Sequence, residues 1–385
     1  MRIGLFTDAY FPIISGVSVS LKTLQVELTK LGHEVFIITN IHPLSQPEEN
    51  VVRIPGRIMP MNGSDDYVIS KITRKKVRLI GELNLNLVHC HTEFTMGRLG
   101  RRVARKYNIP MVHTYHTMYE DYCHFISKLF LKPLILAAKI YSKSFANSAD
   151  KVIFPTVKVK RKFDEYGYKK GSHIVPTGIY LDKFRKINYT QKELKDIKLD
   201  LGIKDDDFVL LFLGRISKEK SIEELIYEFA KLLKKDPTLK LLIVGGGPDA
   251  EFFKEICETI GIRANVIFTG MVPTNKVGLY YQISDLFVNF SVTETQGLTY
   301  IEALASGVPL LVKYDFNLEG VIKDNFNGLS FSENNEFEQK YYDLVSNKVK
   351  FTEISSNASK AIEHFSAENY AKTVLDIYNS LLENR

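Results

Sequence analysis

Two acidic residues stand eight positions apart in the segment 290–309, where a predicted strand passes into a predicted helix. Glu294 falls at the strand-to-helix turn, and Glu302 lies inside the helix that follows. The free amides around residues 297–299 can bind a phosphate, and the carboxylates can accept hydrogen bonds from hydroxyls. This arrangement suits a ligand with a phosphate between two hydroxyl-rich groups, which is the shape of a nucleotide sugar.

Three cations follow the predicted strand 208–213, in the loop that leads to the next predicted helix. Arg215 offers a planar guanidinium fork, and Lys218 and Lys220 offer point charges. Such groups together are suited to a diphosphate. The alternative is a solvated loop, but cations near a helix start oppose the helix dipole unless an anion is bound.

Glycines occupy two further strand-to-helix loops. Gly16 follows the first predicted strand, and Gly245, Gly246 and Gly247 follow the strand 240–244. A residue without a side chain allows backbone N–H groups to approach an anion at the start of the following helix. Each of these glycines, taken alone, is equally well explained by turn structure.

Apolar strands alternate with helix-period segments along most of the chain, and this order positions the loops. Alternation of this kind indicates parallel sheets covered on both faces, which bind ligands at the carboxyl ends of their strands. The predicted strands are 1–7, 34–39, 85–90, 110–114, 151–154, 173–175, 208–213, 240–244, 265–269, 286–289 and 309–312. The predicted helices are 17–31, 97–107, 222–235, 250–260, 276–284 and 298–306.

The strands fall into two series, which predicts an α/β protein with two doubly wound domains in tandem. Between the series, residues 180–206 are polar, rich in Lys and Asp and without an apolar period, so we expect the inter-domain link there. The first domain is predicted to span 1–182, with a C-terminal helix at about 368–385 packing back onto it. The second is predicted to span 183–367.

Composition excludes several classes of protein. Of 385 residues, 45% are apolar and 25% charged, which excludes disorder, collagen and coiled coil. Cys90, Cys123 and Cys257 form an odd set without a C-x-x-C pair, so we expect neither a disulfide framework nor a thiolate zinc site. Asp8 interrupts the first apolar run, and no uncharged stretch approaches the ~18 residues of a membrane-spanning helix. We therefore expect a cytoplasmic protein that does not span a bilayer.

The two halves of the chain carry opposite net charge. Residues 1–185 hold 28 Lys and Arg against 15 Asp and Glu, a net +13, whereas the other 200 residues hold 23 against 30, a net −7. This asymmetry suggests that the first half meets an anionic surface or substrate. Drift of solvated surface charge is the alternative.

Eight of these cations recur at helical spacing in two segments, so each set is expected to form one stripe on a helix. The stripes are Lys71, Arg74, Lys75 and Arg78, and Arg98, Arg101, Arg102 and Arg105. Since each cation near an anionic leaflet contributes ~1 kcal/mol, half of them would give ~4 kcal/mol of reversible adhesion. Segment 128–143, in which lysines interrupt leucines, is either an interfacial helix or a buried helix whose lysines reach solvent. Nucleic acid is not expected as a partner, because the chain lacks Trp, a zinc motif and a ribonucleoprotein-type aromatic signature.

Together these motifs resemble the retaining GT-B glycosyltransferases of family four over nearly the whole chain. The resemblance lies in the Glu-x₇-Glu pair Glu294/Glu302, the loop Gly214-Arg215…Lys220, the turn Gly245-x-Gly247-Pro248 and Pro176-Thr-Gly178. It implies a GT-B fold, in which two Rossmann-like doubly wound parallel-sheet domains face each other across a cleft. The chain departs from the family at Ser221, where a glycine usually follows the lysine.

The resemblance also implies roles for individual residues. Arg215 and Lys220 would hold the donor diphosphate, Glu302 the ribose hydroxyls and Glu294 the donor sugar. His116 resembles the family histidine near the anomeric carbon, and the alternative for it is a packed histidine at a strand end. The other residues implied in donor binding are Gly16, Gly245, Gly247, Val272, Gln296, Gly297, Leu298 and Thr299.

Within the family, the run from His116 through Tyr119 and Asp121 to His124 is similar to one in bacterial 1,2-diacylglycerol 3-glucosyltransferases. This similarity implies a UDP-glucose donor, a diacylglycerol acceptor and an anionic phospholipid surface at the inner face of the cell membrane. Tyr119, Asp121 and His124 would then lie on the acceptor side with the two cationic stripes. The opposite net charges of the two halves fit this assignment, because the basic first half would bind the membrane that holds the acceptor and the acidic second half would bind the donor.

The mechanism expected is hexosyl transfer with retention by front-face attack. Double displacement would require a carboxylate nucleophile at the anomeric carbon, and the resemblance offers none. The leaving diphosphate would take the acceptor proton while Arg215 and Lys220 stabilise its charge. No tightly bound cofactor or catalytic metal is predicted, since the two cations can do the work of a metal and no Asp-x-Asp pair occurs; magnesium is left as an activator.

The sequence leaves several alternatives open. The donor sugar is galactose as readily as glucose, and the acceptor can be a soluble sugar, a polysaccharide or a protein. The other hypotheses are a non-catalytic nucleotide-sugar-binding subunit and a GT-B epimerase. The number of sugars added, lipid activation and oligomeric state are also open.

Overall fold

The apolar runs of the sequence form two parallel β-sheets, each in its own structural unit. The structure, a computed structural model, describes residues 1–61, 64–122 and 131–383, with the side chains of all of these except 59–67 and 121–122. Unit 1 comprises Met1–Ile179 and the C-terminal segment from Ala367, and unit 2 comprises Tyr180–Ser366. These limits lie beside the positions 182/183 and 367/368 expected from the sequence.

Unit 1 contains a seven-stranded sheet and a separate antiparallel hairpin. The strands in chain order are β1 (Arg2–Phe6), β2 (Glu34–Asn40), β3 (Val51–Ile54), the hairpin β4 (Arg57–Met61) and β5 (Ser64–Ile69), then β6 (Leu87–Cys90), β7 (Met111–Thr114), β8 (Lys151–Phe154) and β9 (Ser172–Ile174). The seven-stranded sheet has the order β3-β2-β1-β6-β7-β8-β9, and all its neighbouring pairs are parallel.

Helices cover both faces of this sheet, because successive side chains of each strand point to opposite faces. In β1, Ile3 and Leu5 enter one core and Phe6 enters the other. The first core is closed by α1 (Gly16–Lys30) and the C-terminal helix (Ala367–Glu383). The second is closed by α2 (Arg74–Gly81), α3 (Thr95–Tyr107), α4 (Leu131–Asn147) and α5 (Val157–Glu165).

Unit 2 contains a six-stranded parallel sheet with the order β12-β11-β10-β13-β14-β15. Its strands are β10 (Phe208–Leu213), β11 (Leu239–Val244), β12 (Val266–Gly270), β13 (Leu286–Asn289), β14 (Leu310–Lys313) and β15 (Gly328–Phe331). Its helices are α6 (Gln191–Asp200), α7 (Ile222–Leu233), α8 (Ala250–Thr259), α9 (Val277–Gln282), α10 (Leu298–Ala305), α11 (Phe337–Val345) and α12 (Lys348–Ala358). This topology confirms the α/β class with two Rossmann-like parallel-sheet domains.

In each sheet the strand order reverses once, between β1 and β6 in unit 1 and between β10 and β13 in unit 2. At a reversal the two crossovers leave in opposite directions, so the carboxyl ends of the two central strands stay uncovered. The loops after these four strands therefore form the natural binding edge of each unit.

Several short elements were not predicted from the sequence, and some predicted segments differ from the structure. Strands β3 and β15 and the hairpin β4–β5 lack a continuous apolar run, because they contain Arg53, Ser330, Pro60 and the pair Asp65 and Asp66. Segment 180–206, expected to be a link without a regular period, contains α6, which a capping box between Thr190 and Glu193 starts. The first cationic stripe is also only partly helical: α2 begins after its cap Thr73, so Lys71 lies outside the helix and outside the stripe.

Ser221 has left-handed backbone geometry, with φ of +52° and ψ of +37°, directly before α7. A non-glycine residue pays about 1–2 kcal/mol in this region, which explains why a glycine is usual here in the family that the sequence resembles. The Ser221 side chain makes no capping bond to α7 that would offset this cost.

We expect Ser221→Gly to raise the free energy of unfolding by up to about 1 kcal/mol, because the relief of backbone strain exceeds the added freedom of the unfolded chain. Urea denaturation followed by circular dichroism would measure the change. Ser221→Ala keeps the strain and serves as the control. The explanation is wrong if the glycine variant is no more stable than the alanine variant.

Candidate functional site

The loops after β10 and β13 meet at the strand-order reversal of unit 2. The Thr293 hydroxyl donates to the backbone carbonyl of Glu219 at 3.1 Å and so fixes one loop against the other. Beside this bond, the Lys220 ammonium lies 2.6 Å from the Glu294 carboxylate, and these side chains are only 12% and 21% exposed. Two residues that the sequence places 74 positions apart thus form one sheltered ion pair.

The structure separates the three cations of the β10 loop by their surroundings. Lys218 lies over the ring of Phe252, 4.3 Å from its centroid, and its backbone N–H donates to Asp249. Lys220 pairs with Glu294, and Arg215 is exposed on the same loop. Lys220, rather than Lys218, is therefore the lysine that lies where the two loops meet.

Gly245 and Gly247 allow two backbones to pack in direct contact. A Cβ atom on Gly245 would lie 1.9 Å from the carbonyl oxygen of Gly214, and one on Gly247 would lie 2.0 Å from that of Ile216. The Ile216 N–H also donates to the carbonyl of Gly246. Because Gly245 and Gly247 have no side chains, the β10 loop packs directly against the β11 loop, which holds it in place.

The start of α10 lies next to Glu294. Gly297 is its N-cap residue, with φ of +74°, and Leu298 and Thr299 are the first helical residues, whose amides have no carbonyl one turn earlier in the helix. The carbonyl of the preceding Gln296, a buried residue, accepts a hydrogen bond from Asn317 at 3.4 Å. Val272, also predicted at this edge, follows β12 and is partly buried.

Glu302 lies one turn further along α10 and is held by a buried tyrosine. The Tyr281 hydroxyl donates to its carboxylate at 2.8 Å. Burial raises the pKa of Glu302 to about 7, and the bond from Tyr281 only partly opposes this shift. Glu302 therefore changes charge near neutral pH. Glu294, by contrast, is paired with the charged Lys220.

Asp8 follows β1 at the reversal of unit 1 and was not predicted as a residue of this edge. Its carboxylate accepts hydrogen bonds from the Thr92 hydroxyl at 2.6 Å, from Thr95, from Asn40 and from the Met96 N–H in the first turn of α3. Burial raises the pKa of Asp8, and these bonds oppose the shift. Because α3 has no side-chain cap of its own, Asp8 supplies the anion at its start. Nothing in the sequence pattern marked this contact.

The predicted residue Gly16 opens α1 in the same unit. It follows Ser15, whose hydroxyl accepts a hydrogen bond from the Ser18 N–H in a capping box. The bond satisfies one of the amides at the helix start. Gly16 is exposed at that start.

His116 belongs to a group of histidines at the carboxyl ends of β6 and β7. Its Nε2 lies 2.9 Å from Nδ1 of His91. The predicted acceptor residue Tyr119 instead donates from its hydroxyl to Glu93, a buried carboxylate 3.3 Å from His113. Among the described residues, no three His, Cys, Asp or Glu are arranged to hold a metal ion. Asp121 has no described side chain, and His124 lies outside the described residues.

The cationic surface of unit 1 is formed by α2 and α3, which pack against each other. Its exposed members are Arg74, Lys75, Arg78, Arg98, Arg102 and Arg105. Arg101 was predicted with them but is partly buried, because its guanidinium lies over the ring of Phe145 at 5.2 Å from the centroid. The exposed face of α3 thus carries three arginines rather than four.

Apolar side chains are exposed near these cations. On α4, Leu136 and Ile140 are 59% and 60% exposed, which favours the interfacial interpretation of this segment over a buried helix. The exposed ring of Phe94, one turn before Arg98, stacks with that of Tyr141 at 6.4 Å between centroids. Residues 128–130 of the predicted segment lie outside the described chain. No helix in the described ranges is long and apolar enough to cross a bilayer.

Comparison with known proteins agrees with the fold and with the family resemblance. Residues 195–361 match the family model "Glycosyl transferases group 1", and residues 14–183 match "Glycosyltransferase Family 4". The chain is 38% identical to the alpha-monoglucosyldiacylglycerol synthase of Acholeplasma laidlawii, over 100% of this chain and 98% of the relative. It is 37% identical to the enzyme of that name from Streptococcus pneumoniae, over 98% of this chain and 85% of the relative.

A solved structure supports the fold independently. The sucrose-phosphate synthase of Thermosynechococcus elongatus superposes with a TM-score of 0.80 at 19% identity, over 100% of both chains. The resemblance found in the sequence motifs is therefore confirmed by both comparisons. The chain is a GT-B glycosyltransferase and belongs to glycosyltransferase family 4.

Proposed function

We propose that this protein transfers glucose from UDP-glucose to the 3-hydroxyl of 1,2-diacylglycerol, with retention, at the inner face of the cell membrane. The observation that carries the proposal is the full-length match, at 37–38% identity, to two relatives named alpha-monoglucosyldiacylglycerol synthase. Unit 2 supplies the donor site in this proposal, and unit 1 supplies His116 and the membrane-binding surface.

The ion pair between Lys220 and Glu294 supports a diphosphate-sugar site. Each residue neutralises the other at 2.6 Å. A diphosphate would compete for the ammonium, together with the exposed guanidinium of Arg215, and would leave Glu294 to accept hydrogen bonds from sugar hydroxyls. The amides of Leu298 and Thr299 at the start of α10 add donors for phosphate oxygens.

Front-face transfer fits these groups. As the bond from the sugar to the diphosphate breaks, negative charge grows on the leaving phosphate, where Arg215 and Lys220 stabilise it. The acceptor hydroxyl attacks from the same face, and its proton passes to the leaving phosphate oxygen. No protein carboxylate has to form a covalent intermediate.

The α2, α3 and α4 surface of unit 1 supports an acceptor that lies in a membrane. Exposed arginines on α3 adjoin exposed apolar side chains, the combination with which peripheral helices bind anionic leaflets. Diacylglycerol remains in the bilayer, so an enzyme that adheres there meets its acceptor without extracting it. We therefore propose a peripheral membrane protein with anionic phospholipid as its surface partner.

The proposal is tested by incubating purified protein with radiolabelled UDP-glucose or UDP-galactose and with diacylglycerol vesicles, with and without anionic lipid. We expect label to enter the lipid phase from UDP-glucose only, and faster with anionic lipid. Chromatography and NMR of the product would give the α linkage and the position of the sugar. Release of UDP without labelled lipid would instead indicate a soluble acceptor.

Glu302 gives donor binding a characteristic pH dependence. Ribose hydroxyls donate to a carboxylate, so UDP binds the ionised form preferentially. Because the pKa of Glu302 is about 7, its ionised form is scarce at pH 6 and dominant at pH 8, and we expect titration of this carboxyl to raise UDP affinity about tenfold over this range. Isothermal titration calorimetry would measure it. Glu302→Gln keeps the titration of the UDP phosphate but removes that of the carboxyl, so equal pH slopes in the two proteins would contradict the assignment.

The membrane surface is tested with a triple variant, Arg98→Gln, Arg102→Gln and Arg105→Gln. At ~1 kcal/mol for each cation, binding to anionic vesicles at low salt should weaken about a hundredfold, while UDP affinity is retained. The matched control removes three exposed lysines of unit 2 by Lys192→Gln, Lys195→Gln and Lys204→Gln. Vesicle sedimentation that falls equally in both variants would show that net charge, not this surface, drives binding.

A further inference from the structure

Four histidines lie close together at the carboxyl ends of β6 and β7, and two of them are bound by other groups. His89 lies 2.6 Å from the Tyr378 hydroxyl through Nδ1 and 2.7 Å from that of Thr114 through Nε2. His113 Nδ1 lies 2.9 Å from the carbonyl oxygen of Cys90. These contacts fix both rings as parts of the core.

The other two histidines bind each other. Nδ1 of His91 lies 2.9 Å from Nε2 of His116, and the rings stack with an angle of 18° between their planes. His91 is 1% exposed, and its Nε2 is buried with no hydrogen-bond partner among the described residues. His116 is the partly exposed member of the pair.

Both members of the pair are neutral at physiological pH. Burial and the neighbouring His113 lower the pKa of His116 to about 3. Burial and the other three histidines lower the pKa of His91 well below its ordinary value. Each ring therefore carries one N–H and one lone pair.

Only one direction of the hydrogen bond between His91 and His116 avoids a buried N–H without an acceptor in the described part of the chain. The bond between the rings needs one donor and one acceptor. If Nε2 of His116 donated, His91 would carry its own proton on its buried Nε2, where the N–H finds no acceptor in the described part of the chain. The reverse arrangement leaves only a lone pair there, and a buried lone pair without a partner is less costly than a buried N–H. The Nδ1–H of His91 is therefore the donor.

We propose that His91 is a positioning residue that fixes His116 in the tautomer with its proton on Nδ1. This inference rests on the proposed function, in which unit 1 supplies His116 as the family histidine that is expected near the anomeric carbon. His116 then acts there as a hydrogen-bond donor to a sugar oxygen and not as a base. This role suits front-face transfer, in which the leaving diphosphate takes the acceptor proton.

The first test reads the tautomer directly in the full chain labelled with ¹⁵N-histidine. Two-bond ¹H–¹⁵N spectra distinguish Nδ1–H from Nε2–H, and His116→Asn assigns the signal. We expect His116 to carry its proton on Nδ1. An Nε2–H form of His116 would overturn the inference, whatever the kinetics show.

The second test compares two substitutions of His91 in the transfer assay. In His91→Asn the amide nitrogen lies near the position of Nδ1 and can still donate, so we expect kcat within about threefold of wild type. His91→Leu removes the donor, and we expect kcat to fall tenfold to a hundredfold with UDP affinity unchanged. In this variant the His116 tautomers should also become mixed in the spectrum.

The outcomes separate this inference from the function on which it rests. If His116→Ala lowers activity but His91→Leu does not, the inference about His91 is wrong. If His116→Ala retains full activity, the proposed role of His116 is wrong. If His91→Leu does not fold, the wild-type spectrum and the His91→Asn kinetics decide, and a severe kcat loss in a folded His91→Asn protein counts against the proposal.

Discussion

The reversal of strand order in each sheet is the constraint on which the rest of the molecule depends. Parallel strands are joined by crossovers, and at one place in each sheet the crossovers leave in opposite directions. In unit 2 this place brings together the β10 loop with Lys220 and the β13 loop with Glu294. In unit 1 it brings Asp8 to the start of α3. Each contact joins residues more than 70 positions apart, so the edges form only when the whole sheet has formed.

The sequence predicted those features of the site that short motifs encode. Glu294 and the loop with Arg215 and Lys220 each follow a strand, and Glu302 lies in the helix that comes next. Their positions in the secondary structure therefore followed from the local pattern. The α/β class followed from the alternation of strands and helices. Family membership followed from the order and spacing of these motifs.

The features that the sequence did not predict depend on contacts between distant segments. No local pattern places Nδ1 of His91 beside His116, puts Arg101 over Phe145 or brings Asp8 to Met96. Other errors arose because a local signal was overlooked. Thr73 caps α2 and excludes Lys71 from that helix, and the Thr190/Glu193 box starts α6 in the segment expected to be a link. Capping signals would have corrected both errors, whereas the long-range contacts exist only in the folded chain.

The C-terminal helix gives the two units different folding histories on the ribosome. Unit 2 is one continuous segment, so all its strands are available as soon as Ser366 has emerged. Unit 1 begins with β1, yet one of its cores contains Tyr370, Val374 and Tyr378 from a segment that is synthesised only after the whole of unit 2. Until that helix has been synthesised, the faces of α1 and β1 that it covers are exposed to chaperones and proteases while unit 2 is translated.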